Sequence, residues 1–217
     1  MKKVAVILSG CGVYDGSEIY ETVLTLLHLS QAGVKYQCIA PNIDQLHVVN
    51  HASGQPEPDA ERNVLQEAAR LARGEIIDLA EADPDDYDAV IIPGGFGAAK
   101  NLSNFALKGA EAQVDPAVQA FTKTVHRAGK PIGLICIAPA LTPLLVGKGI
   151  TCTVGNDAGV ATAIMHMGGK HKLCAVDDIV IDSEHKVVTT PAYMLAGSIA
   201  EADIGISKLV QAILDMI

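Results

Sequence analysis

The segment 130–145, Lys-Pro-Ile-Gly-Leu-Ile-Cys-Ile-Ala-Pro-Ala-Leu-Thr-Pro-Leu-Leu, constrains this chain more than any other. Its apolar run Ile132 to Ile135 follows Pro131 and carries no charge, the pattern of a short strand buried on both faces, as central parallel strands are. Cys136 ends that run, where the chain is expected to turn sharply into a helix. A thiol at such a turn has the geometry of a nucleophile elbow, where backbone amides and the helix dipole should favour thiolate over thiol. A buried structural cysteine would fit the same run, because free cysteine is among the most buried residue types.

The remaining pattern supports a layered fold around that strand. Strands are expected at Lys3 to Leu8, Val34 to Ala40, Ile76 to Leu79, Ala89 to Ile92 and Thr151 to Val154, with a hairpin pairing Ile179 to Asp182 with Val187 to Thr190. Leu46 to Asn50 and the Ser53-Gly54 turn suggest a small hairpin excursion. Helical spacing predicts helices over Ser17 to Ala32, Asp59 to Arg73, Pro116 to Ala128, Val160 to Met167 and Ser198 to Leu214, several closed by glycine. Strands alternating with helices, without repeats or a Pro/Ser-rich linker, give α/β: one domain over 1–217, a doubly wound and mostly parallel sheet between helices.

Charge and cysteine usage exclude several functions. The formal charge of −9 lacks the basic footprint that nucleic acid or an anionic membrane would need, so neither is expected as a partner. Eleven acids and three arginines between Glu57 and Asp88, a net −8, read as a solvated acidic face. Five cysteines, Cys11, Cys38, Cys136, Cys152 and Cys174, are odd in number and contain no C-x-x-C, so neither a disulfide framework nor a metal site is signalled. Reduced thiols suggest a cytoplasmic protein. The run Val4 to Leu8 before Cys11 is too short for a lipoprotein signal and reads as a first strand.

Chemistry is expected at the carboxyl edge of the sheet, where open α/β folds place ligands. Ser9-Gly10-Cys11-Gly12 follows the first strand, and Cys11 could lie near the pocket as a second thiol. Pro93-Gly94-Gly95-Phe96-Gly97 follows the strand at 89–92, and its glycines allow close backbone approach to a ligand. It matches no phosphate-loop spacing. An elbow nucleophile needs two amide donors, one from the next residue and one from a neighbouring loop. Ile137 and Gly95 are the candidates, with Gly94 lining the pocket.

Asp88 to Ser103, Asp-Ala-Val-Ile-Ile-Pro-Gly-Gly-Phe-Gly-Ala-Ala-Lys-Asn-Leu-Ser, and Gly133 to Leu141, Gly-Leu-Ile-Cys-Ile-Ala-Pro-Ala-Leu, resemble the ThiJ/PfpI superfamily, which includes deglycase and glyoxalase III enzymes. Residues 7–18 and 187–196 resemble its ElbB glyoxalase-like branch, so the resemblance spans essentially the whole chain. It implies a flavodoxin-like, class I glutamine amidotransferase-like fold, a homodimer, and a Cys136 nucleophile partnered by a glutamate of the first helix. Glu21 matches that position best. Glu18 lies one turn earlier on the same side and could instead close a capping box begun by Asp15.

Where related proteases place His after the cysteine this chain has Ile137, and no late His-x-Glu occurs, so neither peptidase nor glutaminase activity is expected. Deglycases carry a His where this chain has Gly155-Asn156-Asp157, which makes Asn156 a pocket candidate. His126, His166, His171 and His185 are expected at the surface. The resemblance implies a cofactor-free enzyme acting on a small dicarbonyl such as glyoxal. The alternative is a redox sensor or partner-binding protein that uses the same thiol.

Overall fold

The computed structural model describes residues 2–217. In chain order its elements are Lys3–Ile7 (β1), Ile19–Gln31 (α1), Lys35–Ala40 (β2), Val49–Asn50 (β3), Gln55–Pro56 (β4), Val64–Leu71 (α2), Ile76–Asp78 (β5), Ala89–Ile92 (β6), Phe96–Lys100 (α3) and Phe105–Lys108 (α4). There follow Pro116–Arg127 (α5), Ile132–Ile135 (β7), Thr142–Leu145 (α6), Thr151–Cys152 (β8), Ala158–His166 (α7), Lys170–His171 (β9), Val180–Asp182 (β10), Val187–Thr190 (β11) and Ile199–Asp215 (α8).

Seven strands form one sheet in the order β10-β11-β7-β6-β1-β2-β5. Only β10 runs antiparallel, paired with β11. The expected doubly wound, mostly parallel sheet is therefore present, with β7 near its centre. Strands β6, β7 and β11 are buried along their whole length, which is why they read as unbroken apolar or threonine runs.

Successive strand residues serve opposite cores. Ala5 and Ile7 face one side with Val118, Phe121 and Val125 of α5, while Val4 and Val6 face the other with Leu24 of α1 and Ile206, Leu209 and Ile213 of α8. Leu134 is fully buried in the first core, so truncation to Ala would destabilise the fold by about 2–5 kcal/mol.

Side-chain caps set several helix starts. Asp115 accepts from the Ala117 and Val118 amides before α5, Asp157 from Val160 before α7, and Ser198 from Glu201 before α8. Helix α2 begins at Val64, five residues later than the periodicity predicts, because Asn63 rather than Asp59 accepts the free amide, from Gln66. The segment before it is held in irregular form, with the Gln45 amide donating to the Arg62 carbonyl.

The strand expected at 151–154 departs more. Only Thr151 and Cys152 are extended, and they pair with β9 in a separate ribbon. The Thr151 and Thr153 amides bond the Asp182 carboxylate (2.7 Å) and the Thr189 hydroxyl (3.0 Å) instead of a strand backbone, so the large sheet is not extended there.

Candidate active site

The elbow forms at the end of β7, in a tighter shape than the sequence suggests. Cys136 has φ +62°, a left-handed conformation that non-glycine residues adopt only where surrounding structure enforces it. Its N–H donates to the Thr190 carbonyl at the end of β11 (2.9 Å). The chain then enters a short 3₁₀ turn, Ala138–Leu141, before the one-turn α6. No long helix starts at the thiol, so a strong macrodipole is missing from that position.

Glu21 reaches Cys136 from the first turn of α1. It is wholly buried (0% exposed), beside a Cys136 that is 8% exposed. One carboxylate oxygen accepts from the Gly94 amide (2.8 Å) and the other from the Tyr193 amide (3.2 Å), which sets the carboxyl beside the Cys136 side chain. The Gly95 and Ile137 amides both act to lower the Cys136 thiol against the effect of burial, so the two candidate donors lie near the sulfur.

Gly94 permits this contact. A Cβ there would collide with Cys136 Cβ and lie 2.7 Å from Glu21 Oε2. At Gly95, φ is +93° and a Cβ would strike the Gly16 carbonyl oxygen and the Glu18 amide nitrogen, so only glycine fits this turn beside the start of α1.

Glu18 is the N-cap of α1 and its carboxylate accepts from the Glu21 amide (2.7 Å). Its own N–H donates to the Gly94 carbonyl (2.9 Å). Asp15 is not the cap, since its carboxylate accepts from the Val49 amide (2.7 Å) and holds the β3–β4 hairpin. Glu18 thus registers the first turn of α1 against the Gly94–Gly95 backbone, while Glu21 touches the thiol.

Burial dominates the electrostatics and corrects the expected thiolate. Desolvation pushes Glu21 up to about 8, with the Glu18 charge adding to it and the two backbone amides opposing it. The Cys136 thiol is pushed well above its ordinary value, first by burial and then by the Glu21 charge, against the Gly95 and Ile137 amides. With no solvent and no long helix to support a second anion, the pair is a carboxyl and a thiol that carry at most one negative charge between them.

The other candidates separate from this pair. Cys11 is half-buried, and the charges nearest it are Glu67, Arg70, Asp15 and Arg62, not Glu21. Asn156 is exposed on the turn before α7; the neighbouring Gly155 packs towards Leu195 and Pro191. Cys38 and Cys152 are buried in apolar surroundings that raise each to about 12. His171 accepts from the Val154 amide, His185 pairs with Asp182, and His126 contacts the His185 carbonyl. None of these three meets Cys136.

Sequence reasoning missed the Tyr193 amide and the Thr190 carbonyl, which bring the end of β11 into the site. The usable signal was topological: β11 lies beside β7, so the loop after it opens at the same edge.

The model of the DJ-1/PfpI family matches residues 2–196. The chain belongs to the DJ-1/PfpI family. This is the ThiJ/PfpI superfamily that the strand-loop motifs indicated. A human relative, the mitochondrial glutamine amidotransferase-like class 1 domain-containing protein 3, is 46% identical over 99% of this chain and 83% of its own length. The mitochondrial ES1 protein of Danio rerio is 35% identical over 88% of this chain and 76% of its own.

Among solved structures, the isoprenoid biosynthesis protein with amidotransferase-like domain from Ehrlichia chaffeensis aligns with a TM-score of 0.91 at 34% identity, covering 99% of this chain and 100% of that one. Glyoxalase III from Candida albicans shares the fold alone, with a TM-score of 0.62 at 13% identity over 97% of this chain and 96% of that one. The expectation of a cytoplasmic protein is corrected, because both curated relatives are named as mitochondrial. Reduced thiols speak of a reducing environment, not of one compartment.

Proposed function

We propose that this protein is a cofactor-independent glyoxalase that converts glyoxal, or a similarly small dicarbonyl, to a 2-hydroxy acid. The observation that carries this reading is the buried Glu21 carboxyl held by two amides against the Cys136 thiol. The Cys136 sulfur adds to one aldehyde carbon, its proton passes to the Glu21 carboxylate, and Glu21 hands that proton to the new alkoxide, which leaves a thiohemiacetal and a carboxylate again. The Gly95 and Ile137 amides are suited to stabilise the developing oxyanion.

Glu21 then removes the hydrogen from the sulfur-bearing carbon and a proton returns to the neighbouring carbon. The first carbon ends as a thioester carbonyl and the second as a carbinol, so the oxidation of one is balanced by the reduction of the other. Water hydrolyses the thioester, giving glycolate and free thiol. A carboxyl near 8 suits both proton removal and return close to neutral pH.

The burial of Cys136 supports a substrate of only a few atoms. Clefts of about 500, 870 and 450 Å³ open elsewhere and none is lined by Cys136. NMR of the protein incubated with glyoxal should show glycolate accumulating over many turnovers. A single stoichiometric loss of thiol without turnover would instead favour a redox sensor.

A homodimer belongs to the same proposal. Tyr20, Val23 and Leu27 expose an apolar stripe at helical spacing on α1. Light scattering at micromolar concentration should give twice the chain mass.

A further inference from the structure

A second concavity lies beside the free edge of β10. This cleft of about 500 Å³ is bounded by the β8–β9 ribbon and the turn that follows β10. Asp182 pairs with Val187, and Val187 with Ile132. The turn after Asp182 therefore lies near the amino end of β7, opposite Cys136.

Three lysines line the cleft, Lys148, Lys170 and Lys172. Lys170 and Lys172 are two apart on extended backbone, since the Lys172 amide continues the ribbon by donating to the Cys152 carbonyl, so both project to one side. Lys148 joins them from the preceding turn. In a chain of 25 acids and 16 bases, none of the three forms an ion pair among the described residues.

Of the two acids in the cleft, Asp182 is already engaged. Its oxygens accept from the Thr151 amide (2.7 Å) and from the His185 amide (3.0 Å), with the His185 ring 2.9 Å from the second oxygen. Glu184 is exposed and opposes the lysines from the rim.

We infer that this cleft binds a phosphate-class anion, either inorganic phosphate or a phosphomonoester group on a small molecule, separately from the chemistry at Cys136. Lysine ammonium groups serve phosphate as point charges, and three lysines against the two carboxylates of Asp182 and Glu184 leave this cleft net positive in an otherwise acidic protein.

The test is a titration of isotopically labelled protein with inorganic phosphate at constant ionic strength, followed by amide NMR. Saturable one-to-one shifts are expected at Thr151, Lys170 to Lys172 and Ser183 to His185. The doubly substituted Lys170→Met, Lys172→Met protein, altered only at exposed side chains, should bind about tenfold more weakly or worse. Glu184→Gln should bind more tightly and Cys136→Ser unchanged.

The inference is overturned if shifts do not saturate, if sodium chloride reproduces them, or if the double variant binds normally. Loss of binding in Cys136→Ser would move the anion to the other site, and acetate binding as tightly as phosphate would remove the phosphate assignment. A phosphomonoester titrated in parallel separates the two sources, a tighter fit than inorganic phosphate marking the small-molecule ligand.

Discussion

The Glu21 carboxyl lies beside the Cys136 side chain while water reaches neither freely: one group is fully buried and the other nearly so. Two acids confined together resist a second charge, and the reactivity expected of this protein follows from that restriction.

Glu21→Gln removes the group that carries the proton between the two substrate carbons. Glyoxal turnover should fall by roughly 10²-fold or more, the usual weight of a general base. Steady-state kinetics on a variant with an unchanged circular dichroism spectrum checks this, and normal turnover would exclude the Cys–Glu mechanism.

The pH dependence has a defined sign. Addition of the thiol requires Glu21 as carboxylate, so kcat/KM should rise with pH through about 8, where that group deprotonates. The Glu18 charge helps to hold Glu21 high. Glu18→Gln, which keeps an oxygen to cap α1, should therefore move the midpoint to lower pH. A midpoint unmoved in Glu18→Gln would remove that coupling.

Thiol reactivity should respond in the opposite sense to turnover. The Glu21 charge opposes ionisation of Cys136, so Glu21→Gln should speed iodoacetamide labelling of Cys136 at pH 7 while slowing catalysis. Mass spectrometry of the labelled peptide separates this site from the half-buried Cys11 and Cys174.

Stability should carry the same signature. Glu21 ionises near 4.5 in an unfolded chain but near 8 when folded. The folded form keeps its proton over that window while the unfolded form loses it, so the stability contribution present below 4.5 is lost as pH rises to about 8. The loss is on the order of a few kcal/mol. Denaturant unfolding at pH 5 and pH 8 should show this decline in the native protein and a flatter profile in Glu21→Gln.

Much of this was legible in the sequence where a residue's role depended on its own neighbours. β6 and β7 run over the residues that their apolar runs indicated, because both strands are buried on two faces and interrupted by Pro or Cys. The position of Gly95, Ile137 and Glu21 near Cys136 followed from elbow chemistry and resemblance. What stayed hidden was decided by distant partners. The protonation of Cys136 depends on burial and on a carboxyl from another element, so a local reading of strand and helix ends gave the wrong sign. Likewise, Thr151 reads as a sheet strand until the Asp182 side chain takes its amide, and Asn156, expected in the pocket, lies exposed.

The contacts around Cys136 come from the ends of β6, β7 and β11 and from the helix that follows β1. No contiguous stretch of chain holds the site, and its furthest partners, Glu21 and Tyr193, span most of the sequence. The pairing is thus highly non-local, of the kind that forms late because long loops must close first. Perturbed chemistry at Cys136 would then be among the last native properties to appear on refolding, and the first to vanish when β6, β7 or β11 slips.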